Sequence, residues 1–255
     1  MEFNDFHKWV HRELGINLLA YKPEQLERRI TSSLGRININ SLEEYVELIK
    51  KDSEQRQKFL DFITINVTEF FRNPELFNGL EKVIRDELLI KNNNLKIWSA
   101  ACSIGCEPYS IAIILKNLNA KGNHKIIATD IDNTILNRAK KAEYTDIEMK
   151  NVSRSNLEKY FTKEDKKYYL DNTIKSMVDF KKHDLIEGIY EKDCDLIVCR
   201  NVVIYFTNEV KNQIYKKFSE SLKQGGLLFV GATESIYNYK DYGFEKLSTF
   251  IYKKV

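Results

Sequence analysis

The chain has 255 residues, 43% of them hydrophobic and 30% charged, with a net charge of +3. That length accommodates one large domain or two smaller ones with a sizeable core, and the mixed surface lacks the protein-wide basic field that nucleic-acid binders use. The four cysteines, Cys102, Cys106, Cys194 and Cys199, form no CxxC pair and have no matching histidine cluster. This argues against disulfide and zinc frameworks and fits a reducing cytoplasm. Residues 1–10 include Glu2, Asp5 and His7 and do not read as a signal peptide. The longest apolar runs, such as 226–232, are strand-length and too short to span a bilayer.

In chain order the pattern is first helical. Phe6, Val10 and Leu14, then Leu26, Ile30 and Leu34, recur every fourth residue, and Leu42, Tyr45, Val46 and Ile49 follow Ser41, a candidate cap. Pro23 is placed to open the second helix and Gly35 lies near its expected end. His7 and His11 share a helix face but have no third partner that would make them metal ligands. Further helices are expected over 54–64 and 74–90. After Lys91-Asn92-Asn93-Asn94 the pattern changes to alternating strands and helices. Strands are expected at 95–100, 125–130, 177–184, 194–200 and 226–232, with helices at 108–118, 133–142 and 207–223. The alternation implies an α/β fold, a parallel sheet with helices on both faces, finished by antiparallel strands at 244–247 and 249–253. The stretch from about 157 to 180 mixes aromatic and β-branched residues with charged turns, as a small antiparallel insertion would. Cys194 and Cys199 read as core residues.

The segment Ile97 to Ser110 runs from an apolar strand through small residues and Gly105 into a helix opened by Pro108-Tyr109-Ser110. Such a strand, turn and helix N-terminus is a place where backbone can approach a nucleotide-like ligand. One glycine is too few for GxGxxG, and no GxxxxGK[ST] occurs, so pyrophosphate and ATP cradles are disfavoured. Asp130, in I-A-T-D-I-D, lies about 25 residues beyond Gly105, near the offset at which a carboxylate takes ribose hydroxyls. A ribose without phosphates points to S-adenosylmethionine. Taken alone, Asp130 reads equally as a strand-end carboxylate or helix cap, and Glu107 as a favourable first-turn charge.

Five segments together are more specific: I-T-I-N-V-T-E-F-F-R at 63–72, the stretch 98–110, A-T-D-I-D at 128–132, I-V-C-R-N-V-V-I-Y-F at 197–206 and G-L-L-F-V-G-A-T-E at 226–234. In these the chain resembles the CheR family of chemotaxis receptor protein-glutamate O-methyltransferases over nearly its whole length. The resemblance implies a helical N-terminal domain (1–73), a linker helix and loop (74–94), and a doubly wound class I, Rossmann-like methyltransferase domain (95–255) with the small β-subdomain. It also implies a cytoplasmic enzyme, and nothing in the sequence demands more than a monomer. By position, S-adenosylmethionine would be held by Asn66, Thr68 and Arg72, by Glu107 and Asp130 at its α-amino end and ribose respectively, by Asp184 and Leu185 beside the adenine, and by Arg200 and Asn201. Tyr205 matches the family's tyrosine near the transferring methyl, and Arg72 is also suited to neutralising the substrate carboxylate. Arg28, Arg29 and Arg36 match or adjoin a basic helix that faces the cytoplasmic helical bundle of the receptor. The product would be S-adenosylhomocysteine, with no metal, nucleic acid or inserted membrane segment involved.

Three departures from the family pattern stand out. Cys106 replaces the first glutamate of T-G-E-E-P-Y-S, removing a first-turn anion worth about 0.3–1 kcal/mol. Asp184 stands where some relatives have asparagine, losing the amide donors. The turn 163–166 is short and lacks glycine, so the enzyme is expected not to depend on a tether peptide at the receptor's C-terminus. Two alternatives remain at this point: a non-catalytic S-adenosylmethionine-binding signalling module of the same fold, motivated by Cys106, and a methyltransferase for another acceptor.

Overall fold

The computed structural model describes residues 1–65 and 67–255, and these divide into two compact units. The first holds the residues up to 65 with Tyr205–Asn212; the second holds Val67–Ile204 and Gln213–Val255. Asn66 lies outside the described residues.

Four helices build the first unit: α1 (Phe3–Leu14), α2 (Pro23–Arg36), α3 (Leu42–Lys51) and α4 (Ser53–Thr64). Pro23 opens α2, where a missing N–H has no cost. Ser41 Oγ accepts from Glu44 N at 3.2 Å and Asp52 accepts from Glu54 N at 2.8 Å, so both following helices start on capped amides. The four-residue repeats turn inward, as the periodicity requires: Phe6, Val10, Leu26, Ile30, Tyr45, Ile49, Phe59 and Ile63 are all buried. Phe6 stacks with Tyr45 and meets Phe59 edge-on at 5.9 Å. His7 is buried and His11 exposed, and among the described residues no group of three or more His, Cys, Asp or Glu could hold a metal ion. Residues 205–207 join this unit through an antiparallel pairing. Lys22 N donates to Tyr205 O and Thr207 N donates to Ala20 O, both at 2.9 Å, and the Tyr21 and Phe206 rings meet edge-on at 5.0 Å.

The second unit begins with residues 67–73 and α5 (Pro74–Val83), which passes into a π-helical turn at Ile84–Leu88 where a continuous helix to 90 is expected from sequence. Then come β1 (Lys96–Ala100), α6 (Cys106–Asn117), β2 (Lys125–Asp130), α7 (Asn133–Lys141), β3 (Glu143–Tyr144), α8 (Asp146–Met149), α9 (Arg154–Tyr160), β4 (Phe161–Glu164), β5 (Lys167–Leu170) and α10 (Asn172–Lys175). The chain closes with β6 (Val178–Lys182), β7 (Cys194–Cys199), α11 (Asn208–Ser221), β8 (Leu222–Val230), β9 (Phe244–Ser248) and β10 (Ile251–Lys254). Seven strands form one sheet in the order β6-β2-β1-β7-β8-β10-β9, parallel from β6 to β8 and antiparallel at the β10 and β9 end.

Alternation along the strands sets the two faces of this sheet. Ile97, Ile126, Ala128, Leu196, Val198, Leu227 and Phe229 share one buried cluster with Phe77 and Leu80 of α5 and Ile111 and Leu115 of α6. On the opposite face Trp98 meets His183 at 5.3 Å, Tyr190 at 5.1 Å and Phe218 of α11 at 5.5 Å. Helices therefore cover both faces.

Three boundaries are corrected. The last parallel strand is 222–230 rather than 226–232, since Gly231 already belongs to the following turn. The strand expected at 177–184 stops at Lys182, because Asp184 starts a turn in which its own side chain accepts Ile186 N at 2.7 Å. The insertion is not a self-contained 157–180 segment. Its three-stranded sheet runs β3-β5-β4, borrowing residues 143–144, whereas 178–182 pairs with β2 in the main sheet.

At the start of β7, buried Asp195 accepts Lys96 N at 2.8 Å, Asn92 Nδ2 at 3.2 Å and Lys223 Nζ at 2.9 Å. Asp195→Ala leaves these donors without their acceptor and should lower unfolding stability by about 2 kcal/mol in urea denaturation. A loss under about 0.5 kcal/mol, the range of an ordinary surface change, would show that water replaces the carboxylate.

Candidate functional site

The C-terminal ends of the parallel strands gather most of the residues singled out in the sequence. β1 ends in a tight loop with Ala101, Ser103 and Gly105 all at positive φ, and α6 follows. Packing of its own makes residue 105 a glycine. A Cβ on it would lie 3.1 Å from Ala139 and Tyr109 and 3.2 Å from Phe180, so its left-handed φ of 87° and helix–helix packing are what require glycine. Cys106 is likewise an interior residue, fully buried in the apolar cluster beneath the loop.

Glu107, one residue into α6, faces back to the sheet. Its carboxylate accepts from Ser99 Oγ of β1 at 2.8 Å and lies 3.7 Å from Arg200 Nη1. Burial pushes this carboxyl above its ordinary range, opposed by the Arg200 guanidinium and the Ser99 hydroxyl. Asp130, the last residue of β2, is only 6% exposed and accepts Ser103 N at 2.8 Å and Asp132 N at 3.1 Å. It thereby ties the β1 loop to the turn that enters α7. Asp132, not Asp130, caps that helix, accepting from Thr134 N at 2.7 Å. Asp130 O accepts His183 N at 2.9 Å, which brings the turn holding Asp184 and buried Leu185 to the same edge.

Arg200 has a structural part beside the one expected of it. It is buried at the end of β7 and donates from Nη2 to Arg72 O at 2.8 Å and Asn73 Oδ1 at 3.0 Å. Its Cζ lies 5.1 Å from the centroid of the Phe77 ring and 4.9 Å from that of Phe229. It thus anchors the 67–73 segment, which is also held by Phe70 N on Glu148 O and Phe71 N on Ser110 Oγ, both at 2.9 Å. Within that segment Thr68 is half-buried and Arg72 donates from Nη1 to Val67 O at 2.9 Å, its charge acting on both Glu107 and Arg200. Asn201 takes a left-handed φ of 60° directly after Arg200.

In the helical unit, Tyr205 shares a hollow of about 220 Å³ with Tyr21, Gln25, Arg28 and Arg29. Arg28 is exposed. Arg29 is half-buried, its guanidinium 4.5 Å over the Phe62 ring and donating to Phe62 O, so it is committed to its own unit more than a freely presented docking charge would be. Arg36 lies exposed in the last turn of α2, apart from this hollow.

Three residues were missed by sequence reasoning: Ser99, which orients Glu107; Asn73, which holds Arg200; and Glu234, whose buried carboxylate receives several backbone amides. Glu234 lies in a motif used for the resemblance, but two of its partners, Asn201 and Val202, follow the neighbouring strand and leave no local signal.

Residues 66–251 match the family model described as CheR methyltransferase, SAM binding domain, and residues 1–64 match CheR methyltransferase, all-alpha domain. The chain belongs to the CheR methyltransferase family. It is 41% identical over 250 residues to the chemotaxis protein methyltransferase of Listeria monocytogenes, covering 98% of this chain and 95% of the relative. The chemotaxis protein methyltransferase of Borreliella burgdorferi is 34% identical over 267 residues (99% and 94% covered), and that of Escherichia coli is 30% identical over 243 residues (91% and 84% covered). S-adenosylmethionine is accordingly the cofactor of this CheR-family methyltransferase. The site suits it: the amide bonds to Asp130 do not exhaust a carboxylate's acceptor positions, Glu107 supplies a second acid, and Arg200 Nε is buried without a partner. No helix of the described residues is long and apolar enough to cross a membrane.

Burial raises the Asp130 carboxyl to about 6, against the pull of the backbone amides. An unfolded aspartate titrates near 3.9, so the neutral form of Asp130 contributes stability that is full below about pH 4 and lost as pH rises through about 6. Asp130→Asn cannot titrate. Between pH 4 and 7 the stability difference should therefore move against the wild type by up to about 3 kcal/mol in urea unfolding. A difference that stays flat with pH would show that Asp130 ionises as a solvated carboxylate.

Proposed function

We propose that this CheR-family methyltransferase transfers a methyl group from S-adenosylmethionine to glutamate side chains on the cytoplasmic helical bundle of chemoreceptors. The products are a glutamate methyl ester and S-adenosylhomocysteine, and the activity serves adaptation in chemotaxis. The observation that carries this reading is the whole-length likeness to relatives named chemotaxis protein methyltransferase. The site chemistry supports it. A glutamate is already an anionic nucleophile at neutral pH, with a pKa of about 4.3, so no general base, metal or covalent intermediate has to be built. The bound cofactor supplies an activated methyl on a sulfonium.

The chain's own task is alignment and exclusion of water. On this reading Glu107 and Asp130 hold the α-amino end and the ribose, the Asp184–Leu185 turn borders the adenine, and Asn66, Thr68 and Asn201 complete the cradle. Arg72 neutralises the incoming carboxylate, since among the described residues its guanidinium makes one bond, to a carbonyl of its own segment. Tyr205 offers a hydroxyl that positions without quenching the nucleophile as a tight ion pair would. Arg28, on the exposed face of α2, offers charge to an acidic receptor helix.

Tritiated S-adenosylmethionine incubated with cognate receptor membranes should label the receptor, and base should release that label as volatile methanol. Label that is absent or stable to base sinks the methyl-ester reading. Tyr205→Phe should keep S-adenosylhomocysteine affinity and lose turnover by about tenfold or more, as expected for a group that acts on alignment.

The β4–β5 turn supports a further part of the proposal. Its connection is only Asp165 and Lys166, with Asp165 at a φ of 50°, leaving little loop with which to grip a peptide. The initial rate on receptors lacking their last residues should equal that on intact receptors. A large drop on truncation would refute independence from a tether.

A further inference from the structure

Buried Glu234 has no part in the chemistry just described, yet it is among the most heavily coordinated side chains of the sheet unit. β7 ends at Cys199 and β8 at Val230, and beyond these points the backbone amides lose their ladder partners. The Glu234 carboxylate takes them up. Oε2 accepts Asn201 N at 2.6 Å and Gly231 N at 2.9 Å, and Oε1 accepts Val202 N at 3.0 Å. Glu234 N in turn donates to Gly231 O at 3.0 Å, closing the 231–234 turn that aims the side chain across to the neighbouring strand end.

The fit leaves no slack. A Cβ on Gly231 would lie 2.4 Å from Glu234 Oε2 and 3.0 Å from Asn201 N, so glycine is what lets the β8 end, the carboxylate and the β7 loop meet. Asn201, in the left-handed conformation, is one of the residue types that tolerates it, and an amide bond to a fixed anion holds it there. Burial works against the charged carboxylate while the amides favour it, so the anion and the loop conformation sustain each other.

We infer that Glu234 is a positioning residue of the cofactor site: it gathers the amides of Asn201, Val202 and Gly231 and so fixes the turn from which Asn201 meets S-adenosylmethionine. The inference rests on the proposed reading of Asn201 as a cofactor contact. Glu234→Gln keeps the shape but must turn an NH2 towards at least one of the amide donors, so the collar around the 201–202 turn opens.

The test compares four full-length proteins: wild type, Asn201→Ala, Glu234→Gln and Gly231→Ala. Affinity for S-adenosylhomocysteine is measured by calorimetry, well below each Tm, and needs no receptor. Both Glu234→Gln and Gly231→Ala should weaken binding about tenfold, the size expected when a charge-assisted hydrogen bond is lost. Unchanged affinity in either folded variant, beside weakened binding in Asn201→Ala, overturns the role of Glu234 alone. Unchanged affinity in Asn201→Ala instead overturns the cofactor-contact reading on which the role depends. Amide hydrogen exchange of the wild type gives a measure independent of any variant's folding. The Asn201 and Val202 amides should be protected before cofactor is added, and fast exchange there contradicts a preformed turn.

Discussion

Every parallel strand that ends inside a protein abandons a few backbone amides, and burial makes each of them costly unless an acceptor is near. In the sheet unit this is met with buried carboxylates. Asp130 collects Ser103 and Asp132, Glu234 collects Asn201, Val202 and Gly231, and Asp195 collects Lys96 at the opposite edge. Each carboxylate would be expensive to bury alone and each amide expensive to leave unpaired; together they offset one another. The consequence is a rim whose loops are fixed by buried carboxylates as well as by apolar packing such as that of Cys102 and Ile104. Such a rim can hold left-handed residues such as Ala101, Ser103 and Asn201 without glycine at each one.

Arg200 extends the same logic to a cation. An ion pair at 3.7 Å with Glu107 is weak evidence of stabilisation, because removing both groups from water costs about as much as their attraction returns. What the arginine gains is geometric. Nη2 reaches Arg72 O and Asn73 Oδ1 while Nη1 faces Glu107, and Cζ lies near the Phe77 and Phe229 rings. The 67–73 segment contains Phe71 and Asn73, both at positive φ. It is therefore held to the sheet edge by a residue from β7's end, by Ser110 of α6 and by Glu148 O of α8. A lysine, with one terminal nitrogen in place of two, could not serve residues 72–73 and Glu107 from separate nitrogens.

Local periodicity carried much of the fold into the sequence. The spacing Phe6–Val10 and Leu26–Ile30–Leu34 marks helices whose buried faces are those residues, and I-I-A-T-D at 126–130 marks a strand that ends where its carboxylate is needed. What stayed illegible depends on distant partners. That Gly105 is also required by packing shows only once Ala139 and Phe180 are known to press on it. Residues 143–144 cannot be recognised as part of the small sheet, because two residues have no period and their pairing with β5 lies about 25 positions away. Arg29 looks like its neighbour Arg28 until Phe62 takes its guanidinium. Tyr205 follows the β7 motif in sequence, yet its backbone pairs with residues 20–22 of the helical unit.

Cys106 shows how the same limitation bears on function. Read along the chain, a cysteine in place of a glutamate at a helix N-terminus is a lost surface charge. In three dimensions the position is an interior one, packed in the apolar cluster under the loop, and burial pushes its thiol well above the ordinary range. A neutral thiol there packs as a small hydrophobe and asks for no counter-charge. The anion belonging to the helix N-terminus is already supplied one residue later by Glu107, which the Ser99 hydroxyl and the Arg200 guanidinium hold in place. The departure from the family pattern thus falls on the packed side of the helix, and the side that faces Ser99 and Arg200 keeps its carboxylate.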